Sequence, residues 1–131
     1  MDFSERAEWE KNKPADKWRS DCPFCKENDL CIREWKYLRI IHNKFPILWR
    51  DDHLMLIPKR HVVLTTDLND NELLEMRDAE KYIENFFNGE KYFSFVRQSV
   101  ENRSLEHLHY HYCPGNIWYH TVEEMLRKQW Y

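Results

Sequence analysis

The sequence predicts an α+β fold: an antiparallel sheet of about five strands, one long helix and a short C-terminal helix. Two patterns carry this prediction. Several short apolar or alternating segments are typical of strands, and one longer segment has the apolar period of a helix. The strand-like segments do not alternate regularly with helices, as they would in a parallel α/β sheet. The 131 residues correspond to one domain with a substantial core.

The first half of the chain supplies a lead-in and the early strands. Residues 1–20 are polar and charged, so we expect a lead-in there and the domain over 21–131. Residues 34–43 alternate apolar and polar side chains, which predicts a strand, and a turn leads into 44–49. Residues 53–59 form an apolar run that Pro58 ends, as in a buried strand.

The second half supplies the helices and the remaining strands. Residues 68–88 have a helical period, with Asn69 or Asp70 as cap and Gly89 as terminator. Residues 92–98 and 107–113 are predicted strands joined by a polar loop, and residues 121–129 form a short helix. We expect the long helix to bury a broad apolar stripe: Leu73, Leu74, Met76, Ala79, Tyr82, Ile83, Phe86 and Phe87.

Composition excludes several classes of protein. The net charge of −3 gives no global basic field for a nucleic-acid backbone, so we expect no nucleic-acid partner. No apolar run reaches membrane-spanning length, and the N-terminus lacks the pattern of a signal peptide. We therefore expect a cytoplasmic protein whose four cysteines are metal ligands or free thiols rather than disulfides.

Residues 107–113, "HLHYHYC", place histidines at every second position: His107, His109 and His111. On a strand these three would share one face, and Leu108, Tyr110 and Tyr112 would lie on the core face. The outer two would be about 13 Å apart, so one zinc ion cannot readily bind all three. We therefore expect the three to divide between tasks, whether metal binding or catalysis. Three solvated strand histidines are the alternative.

The segment "CPFC" places Cys22 and Cys25 at a spacing that suits two ligands of one tetrahedral metal. A redox pair or two buried thiols are the alternatives, although a redox pair normally lies in a βαβ unit, which this sequence lacks. A metal site needs two further ligands, and the histidines are the available supply. Cys31 and Cys113 have no partner at such a spacing, so we interpret both as structural.

Three segments resemble the histidine-triad (HIT) superfamily of nucleotidyl hydrolases and transferases. "HLHYHYC" is similar to its signature of three histidines separated by single hydrophobic residues. "HLMLIPKRH" (53–61) is similar to its H-x-L-V-I-P-K-x-H strand and turn, and "CPFC" to the zinc-binding cysteine pair of many members. "HNKFP" (42–46) and "RSLEHLHYH" (103–111) look closer to the branch of galactose-1-phosphate uridylyltransferase and diadenosine tetraphosphate phosphorylase.

The resemblance implies a HIT-like fold and roles for individual residues. His109 would be the nucleophile at an α-phosphorus, held by a hydrogen bond to the carbonyl of His107. His111 would assist catalysis, and His53 would contact phosphate oxygens. His107 would join three other residues in binding a structural zinc: Cys22, Cys25 and His61. For His61, a solvated turn histidine is the alternative.

The triad loop departs from the family pattern. "SVENRSLE" replaces a glycine-rich loop, and the asparagine usually found upstream has Gln98 or Asn102 as its counterpart. Ser104 matches a phosphate-contacting serine, or is an ordinary loop serine. Arg103, like Arg97, could neutralise phosphate or be a solvated surface charge. The nucleobase pocket would include residues 45–47 and Leu56, although core packing also explains these apolar residues.

The resemblance implies an enzyme that hydrolyses a nucleotide phosphoramidate, dinucleoside polyphosphate or related conjugate and releases a nucleoside monophosphate. A nucleotidyltransferase or phosphorylase is one alternative, and a non-catalytic nucleotide-binding or scaffold protein is another. A DNA-end deadenylase is disfavoured because the chain lacks a basic extension or zinc finger to hold DNA. The implied partners are a nucleotide substrate and a second copy of the chain, in a homodimer.

Overall fold

A computed structural model of the protein describes residues 22–26, 30–44, 52–99 and 106–130. Its five strands are β1 (Cys31–Glu34), β2 (Leu38–His42), β3 (Leu54–Pro58), β4 (Tyr92–Phe95) and β5 (Tyr110–Pro114). They form one antiparallel sheet in the order β1-β2-β3-β5-β4. The predicted α+β class and five-stranded antiparallel sheet are confirmed. The predicted lead-in 1–20, residues 45–47, Asn102, Arg103 and Ser104 lie outside the described residues.

The long helix, α1 (Asp70–Phe87), connects β3 to β4 and packs on one face of the sheet. Its N-terminus is capped by Asn69, whose side chain accepts a hydrogen bond from the backbone N–H of Glu72 at 2.9 Å. Beyond its C-terminus, Asn88 and Gly89 both have positive φ, 48° and 84°, the left-handed geometry that ends a helix. The predicted helix and its boundary signals are confirmed.

The buried stripe of α1 is narrower than predicted. Leu73, Leu74 and Phe86 are exposed by 46%, 66% and 38%, because only one side of the helix contacts the sheet. A carboxylate, Glu72, is buried instead. Its Oε1 accepts hydrogen bonds from the Asn69 backbone N–H at 2.9 Å and from the Arg60 guanidinium at 2.8 Å, which stabilises the charge inside the fold.

Three strand predictions have the wrong boundaries. The predicted strand 92–98 ends at Phe95. Residues 34–43 do not form a single strand, because β1 and β2 fold into a hairpin around Trp35–Tyr37; the turn is closed by a hydrogen bond from the Trp35 N–H to the Leu38 carbonyl, 2.8 Å. Residues 107–109 precede β5 rather than belonging to it. There the Leu108 N–H donates to the Val62 carbonyl at 2.8 Å, outside the strand ladder.

The C-terminal helix, α2 (Tyr119–Trp130), confirms the predicted short helix, and none of its residues is buried. Two i,i+4 ion pairs, Glu123–Arg127 and Glu124–Lys128, lie along it. Within the described ranges, no helix has the length and apolar character needed to cross a membrane.

The face of the sheet opposite α1 carries the functional candidates. Ile41, Met55 and Ile57 form an apolar cluster there, with Phe24 and Leu30 packed against it. The α1 face holds the larger core, which includes Tyr112, and Leu108 packs nearby with Val62 and Leu68. The predicted division of residues 107–112 between an apolar face and a histidine face therefore exists in the fold.

Candidate functional site

The three histidines His107, His109 and His111, called the histidine row below, run from the residues before β5 into that strand, and all three side chains are buried. His107 is fully enclosed, whereas His109 and His111 each keep 7% of their surface exposed. The His109 and His111 rings meet edge to face with centroids 4.9 Å apart. Buried imidazoles are not solvated strand histidines, so that alternative is excluded by the fold.

His107 lies in a cluster with Cys22, Cys25 and His61, and their candidate ligand atoms are all within 4.8 Å of one another. Its Nδ1 is 3.4 Å from Cys22 Sγ and 3.3 Å from Cys25 Sγ. His61 Nδ1 is 3.1 Å from Cys25 Sγ. Two ligands of a tetrahedral zinc ion are separated by about 3.3–3.8 Å, so these spacings approach those of a loaded site.

The tautomer of His107 suits a metal ligand. Its Nε2 lies 2.6 Å from the carbonyl oxygen of Pro58. Because a carbonyl only accepts hydrogen bonds, Nε2 carries the proton and donates, and Nδ1 presents its lone pair to the two sulfurs. The cluster could therefore hold one metal ion with two sulfur and two nitrogen ligands, a set that suits zinc.

His109 has the opposite tautomer. Its Nδ1 lies 2.8 Å from the carbonyl oxygen of His107, so Nδ1–H donates and the lone pair is on Nε2. Phe24 lies in residues 22–26, called the cysteine loop below. Its ring packs against those of His109 and His107, with centroid distances of 5.2 Å and 5.9 Å. The nitrogen of His109 whose lone pair could attack an electrophile is therefore Nε2.

His111 and His53 form a buried imidazole pair. His53 Nε2 and His111 Nδ1 are 2.9 Å apart, so one ring donates to the other. Burial lowers the pKa of His53 to about 4. Burial, followed by the neighbouring charges of His109, His53 and Arg97, lowers the pKa of His111 to about 2. Both rings are therefore neutral at neutral pH.

His111 has one ring nitrogen that is buried without a hydrogen-bond partner among the described residues. This nitrogen is Nε2. The cost of burying such a group makes a ligand atom its natural partner.

Two neighbours of this pair were not predicted from the sequence. Phe95 on β4 stacks on His111 with centroids 4.6 Å apart and rings 10° from parallel. The carboxamide nitrogen of Asn43 lies 3.3 Å from His53 Nε2 and 3.4 Å from Nδ1. The alternation of β4 could have placed Phe95 on the histidine face, whereas nothing in the local sequence points to Asn43.

Gln98 has a partner elsewhere. Its side-chain N–H donates to the Thr65 hydroxyl at 3.0 Å, and that hydroxyl is 2.6 Å from the hydroxyl of Tyr110. Tyr110 packs against the core on the α1 side of the sheet. The structure therefore brings together seven predicted residues but not Gln98: Cys22, Cys25, His53, His61, His107, His109 and His111.

Comparison with solved structures identifies this architecture. A histidine-triad protein from Clostridium difficile matches with a TM-score of 0.60 and 21% identity, covering 77% of this chain and 96% of its own. A HIT family hydrolase from Clostridium thermocellum matches with a TM-score of 0.61 and 22% identity, covering 76% and 94%. A histidine triad nucleotide-binding protein from Candida albicans matches with a TM-score of 0.59 and 18% identity, covering 81% and 94%.

No protein-family model matches the sequence, and no curated protein matches it either. At these identities the likeness shows the fold: the chain has the histidine-triad fold. The predicted resemblance to the HIT superfamily is confirmed at that level, and the closer resemblance to the uridylyltransferase and phosphorylase branch stays a prediction.

Proposed function

We propose that this protein is a nucleotidyl hydrolase that uses His109 as its nucleophile and releases a nucleoside monophosphate. One observation carries the proposal: the hydrogen bond from His109 Nδ1 to the His107 carbonyl leaves a lone pair on Nε2. The similar structures include a HIT family hydrolase and a histidine triad nucleotide-binding protein, which supports the same chemistry. The substrate would be a nucleotide phosphoramidate, a dinucleoside polyphosphate or a related conjugate.

The proposed reaction has two displacements at the α-phosphorus. His109 Nε2 first forms a bond to phosphorus, and the bond from phosphorus to the leaving nitrogen or oxygen breaks. The leaving group takes a proton from the solvent as it departs. Water then attacks the same phosphorus and returns one proton to the solvent, the phosphorus–Nε2 bond breaks, and the nucleoside monophosphate and neutral His109 result.

The neutral pair of His53 and His111 fits the first displacement. If His53 donates to His111 Nδ1, then His111 carries its proton on Nε2, which is buried and has no hydrogen-bond partner among the described residues. That N–H would donate a hydrogen bond to a phosphate oxygen or to the leaving group as negative charge develops. The proposal includes three further phosphate-binding residues: Gln98, Arg103 and Ser104.

We propose that Cys22, Cys25, His61 and His107 hold a structural zinc ion. The four atoms form a closed Cys₂His₂ set with no position for a substrate, which is typical of structural zinc. When bound, the metal would cross-link the cysteine loop to the turn after β3 and to the start of the histidine row. The His107 carbonyl, which orients His109, would thereby be fixed in place.

The test is turnover of a substrate panel by the wild type and by His109→Asn. The panel contains a nucleoside phosphoramidate, a dinucleoside polyphosphate, a nucleotide sugar and ATP, with products separated by chromatography. We expect the wild type alone to release a nucleoside monophosphate from at least one substrate. Transfer of the nucleotidyl group to phosphate or to a sugar phosphate would instead identify a phosphorylase or transferase. Nucleotide binding without turnover would contradict catalysis and support a binding protein.

We further propose that the protein is a cytoplasmic homodimer. Helix α2 and the residues before it expose large apolar side chains, among them Trp118 at 62%, Tyr119 at 84% and Trp130 at 79%. Exposed apolar surface of this kind is typical of a protein interface. Light scattering after size-exclusion chromatography should give twice the 16.4 kDa chain mass, and a monomer mass at high micromolar concentration would contradict the dimer.

A further inference from the structure

A buried arginine lies on the metal-binding face of the sheet. Arg39 is on β2, and only 6% of its surface is exposed. Its neighbours Leu38 and Ile40 pack into the core under α1, so the alternation of the strand directs Arg39 to the opposite face, with Ile41. Its partner across the β2–β3 ladder is Ile57, next to Pro58, whose carbonyl accepts from His107.

Arg39 contacts the cysteine loop directly. Its Nη1 donates to the carbonyl oxygen of Lys26 at 2.7 Å, and Lys26 is the residue after Cys25. This hydrogen bond links the end of the "CPFC" segment to the central part of the sheet. It therefore restrains the backbone that carries one of the two thiols.

Glu34 lies beside Arg39. The two residues are partners across the β1–β2 ladder, and the charge of Arg39 contributes, after the larger effect of Lys59, to the lowered pKa of the Glu34 carboxyl. In the parts of the chain that the structure describes, Arg39 forms no ion pair, and its buried Nε has no hydrogen-bond partner. Among the described residues, the direct hydrogen bond of the guanidinium is therefore the one to the Lys26 carbonyl.

We propose that Arg39 is a positioning residue for the metal site, holding the Cys25–Lys26 backbone in place through its hydrogen bond to the Lys26 carbonyl. This inference rests on the metal-binding part of the proposed function. It predicts that Arg39 raises zinc affinity without being a ligand, because the hydrogen bond fixes the backbone beside Cys25 before the metal enters.

The test compares zinc affinity, by competition with a chromogenic chelator, in the wild type, Arg39→Met and the matched control Arg77→Met. Arg77 is exposed on α1. We expect Arg39→Met to bind zinc about 10–100-fold more weakly, the usual cost of losing an outer partner of a metal ligand. Arg77→Met should bind like the wild type. Equal affinity in Arg39→Met and the wild type would overturn the inference.

A second measurement separates positioning from ordinary packing. Denaturant unfolding of the metal-free proteins reports packing alone, so a loss confined to these curves, with unchanged zinc affinity, would also overturn the inference. If Arg39→Met does not fold, Arg39→Gln takes its place; its shorter side chain does not reach the Lys26 carbonyl, so the same weakening is expected. If the wild type binds no zinc, the metal site itself is wrong, a failure distinct from that of Arg39.

Discussion

His107 and His109 lie two positions apart and have the same side chain, but the lone pair is on Nδ1 in His107 and on Nε2 in His109. His107 donates from Nε2 to the Pro58 carbonyl and presents Nδ1 to two sulfurs. His109 donates from Nδ1 to the His107 carbonyl, so its lone pair is on Nε2. The backbone acceptor beside each ring, rather than the residue type, therefore selects which nitrogen carries the lone pair and which chemistry the ring can perform.

The largest predicted effects are on turnover and zinc binding, and they distinguish the role of His109 from that of His107. His109→Asn should lower turnover by about 10⁴-fold or more, the usual scale for loss of a nucleophile, and keep one zinc per chain. His107→Asn should weaken zinc binding by about 10²–10³-fold, roughly one ligand's share of a structural site. Metal analysis and turnover on the same preparations check both. Zinc loss in His109→Asn would contradict the proposed division between a nucleophilic His109 and a metal-binding His107.

Removal of zinc should lower the free energy of unfolding of the protein. At free zinc about a thousandfold above its dissociation constant, the metal contributes about 4 kcal/mol to the free energy of unfolding. Thermal unfolding with and without a chelator measures this contribution. An unchanged midpoint in a protein that had carried zinc would contradict a structural role for the metal.

The buried pair of His53 and His111 should make stability depend on pH in one direction. The pKa values of these rings are lowered to about 4 and about 2, against about 6.5 in the unfolded chain. The unfolded state therefore binds more protons below about pH 6.5. Stability should be fully present above that pH and should fall as the pH drops towards 4.

Unfolding of the zinc-loaded wild type and His111→Asn between pH 7.5 and about 4.5 tests this dependence, since zinc-ligand protonation is common to both. In His111→Asn, stability should fall less steeply as the pH drops, because the variant lacks one ring that is neutral in the folded state and protonated in the unfolded state. His120→Asn removes an exposed histidine and should keep the wild-type slope. Identical slopes in His111→Asn and the wild type would contradict a neutral, buried His111.

The smallest effect should come from the ring stacked on His111. Phe95→Leu keeps an apolar side chain but removes the stacking at 4.6 Å. An aromatic pair contributes about 0.5–1.5 kcal/mol, so kcat/KM should fall by about twofold to tenfold. Zinc affinity should not change, because the described ring contacts of Phe95 are with His111 and Phe93 and not with the Cys/His cluster. Steady-state kinetics and chelator competition measure the two quantities.

Periodic patterns predicted the fold well where a segment's own sequence controls its structure. Helix α1 has its cap at Asn69 and its terminator at Gly89, and both signals lie within a few residues of the boundary. The hairpin of β1 and β2 was missed because its turn contains no glycine or proline signal. Its closure depends on contacts outside the segment, among them a hydrogen bond from the Tyr37 N–H to the Glu75 carboxylate at 2.9 Å.

The candidate site was predicted in part for the same reason. The every-second-residue spacing predicted that the three histidines divide between tasks, and the resemblance to the HIT superfamily assigned His107 to the metal. The strand that this argument assumed begins only at Tyr110. Arg39 and Asn43 were missed as site neighbours. Arg39 looks like one polar position in an alternating strand, and its contact with the cysteine loop exists only after folding.

The amino-acid sequence alone specifies which reactive residues this protein contains and how they are spaced locally: three alternating histidines, a cysteine pair and one capped amphipathic helix. Which of these residues contact one another, and which tautomer each of His107 and His109 adopts, depends on the tertiary structure. Cys22 and His107 are 85 positions apart, and Pro58 and His107 are 49 apart. Local propensity cannot encode such contacts. They depend on the order of the strands, and the buried acceptors that this order supplies select the tautomer of each histidine.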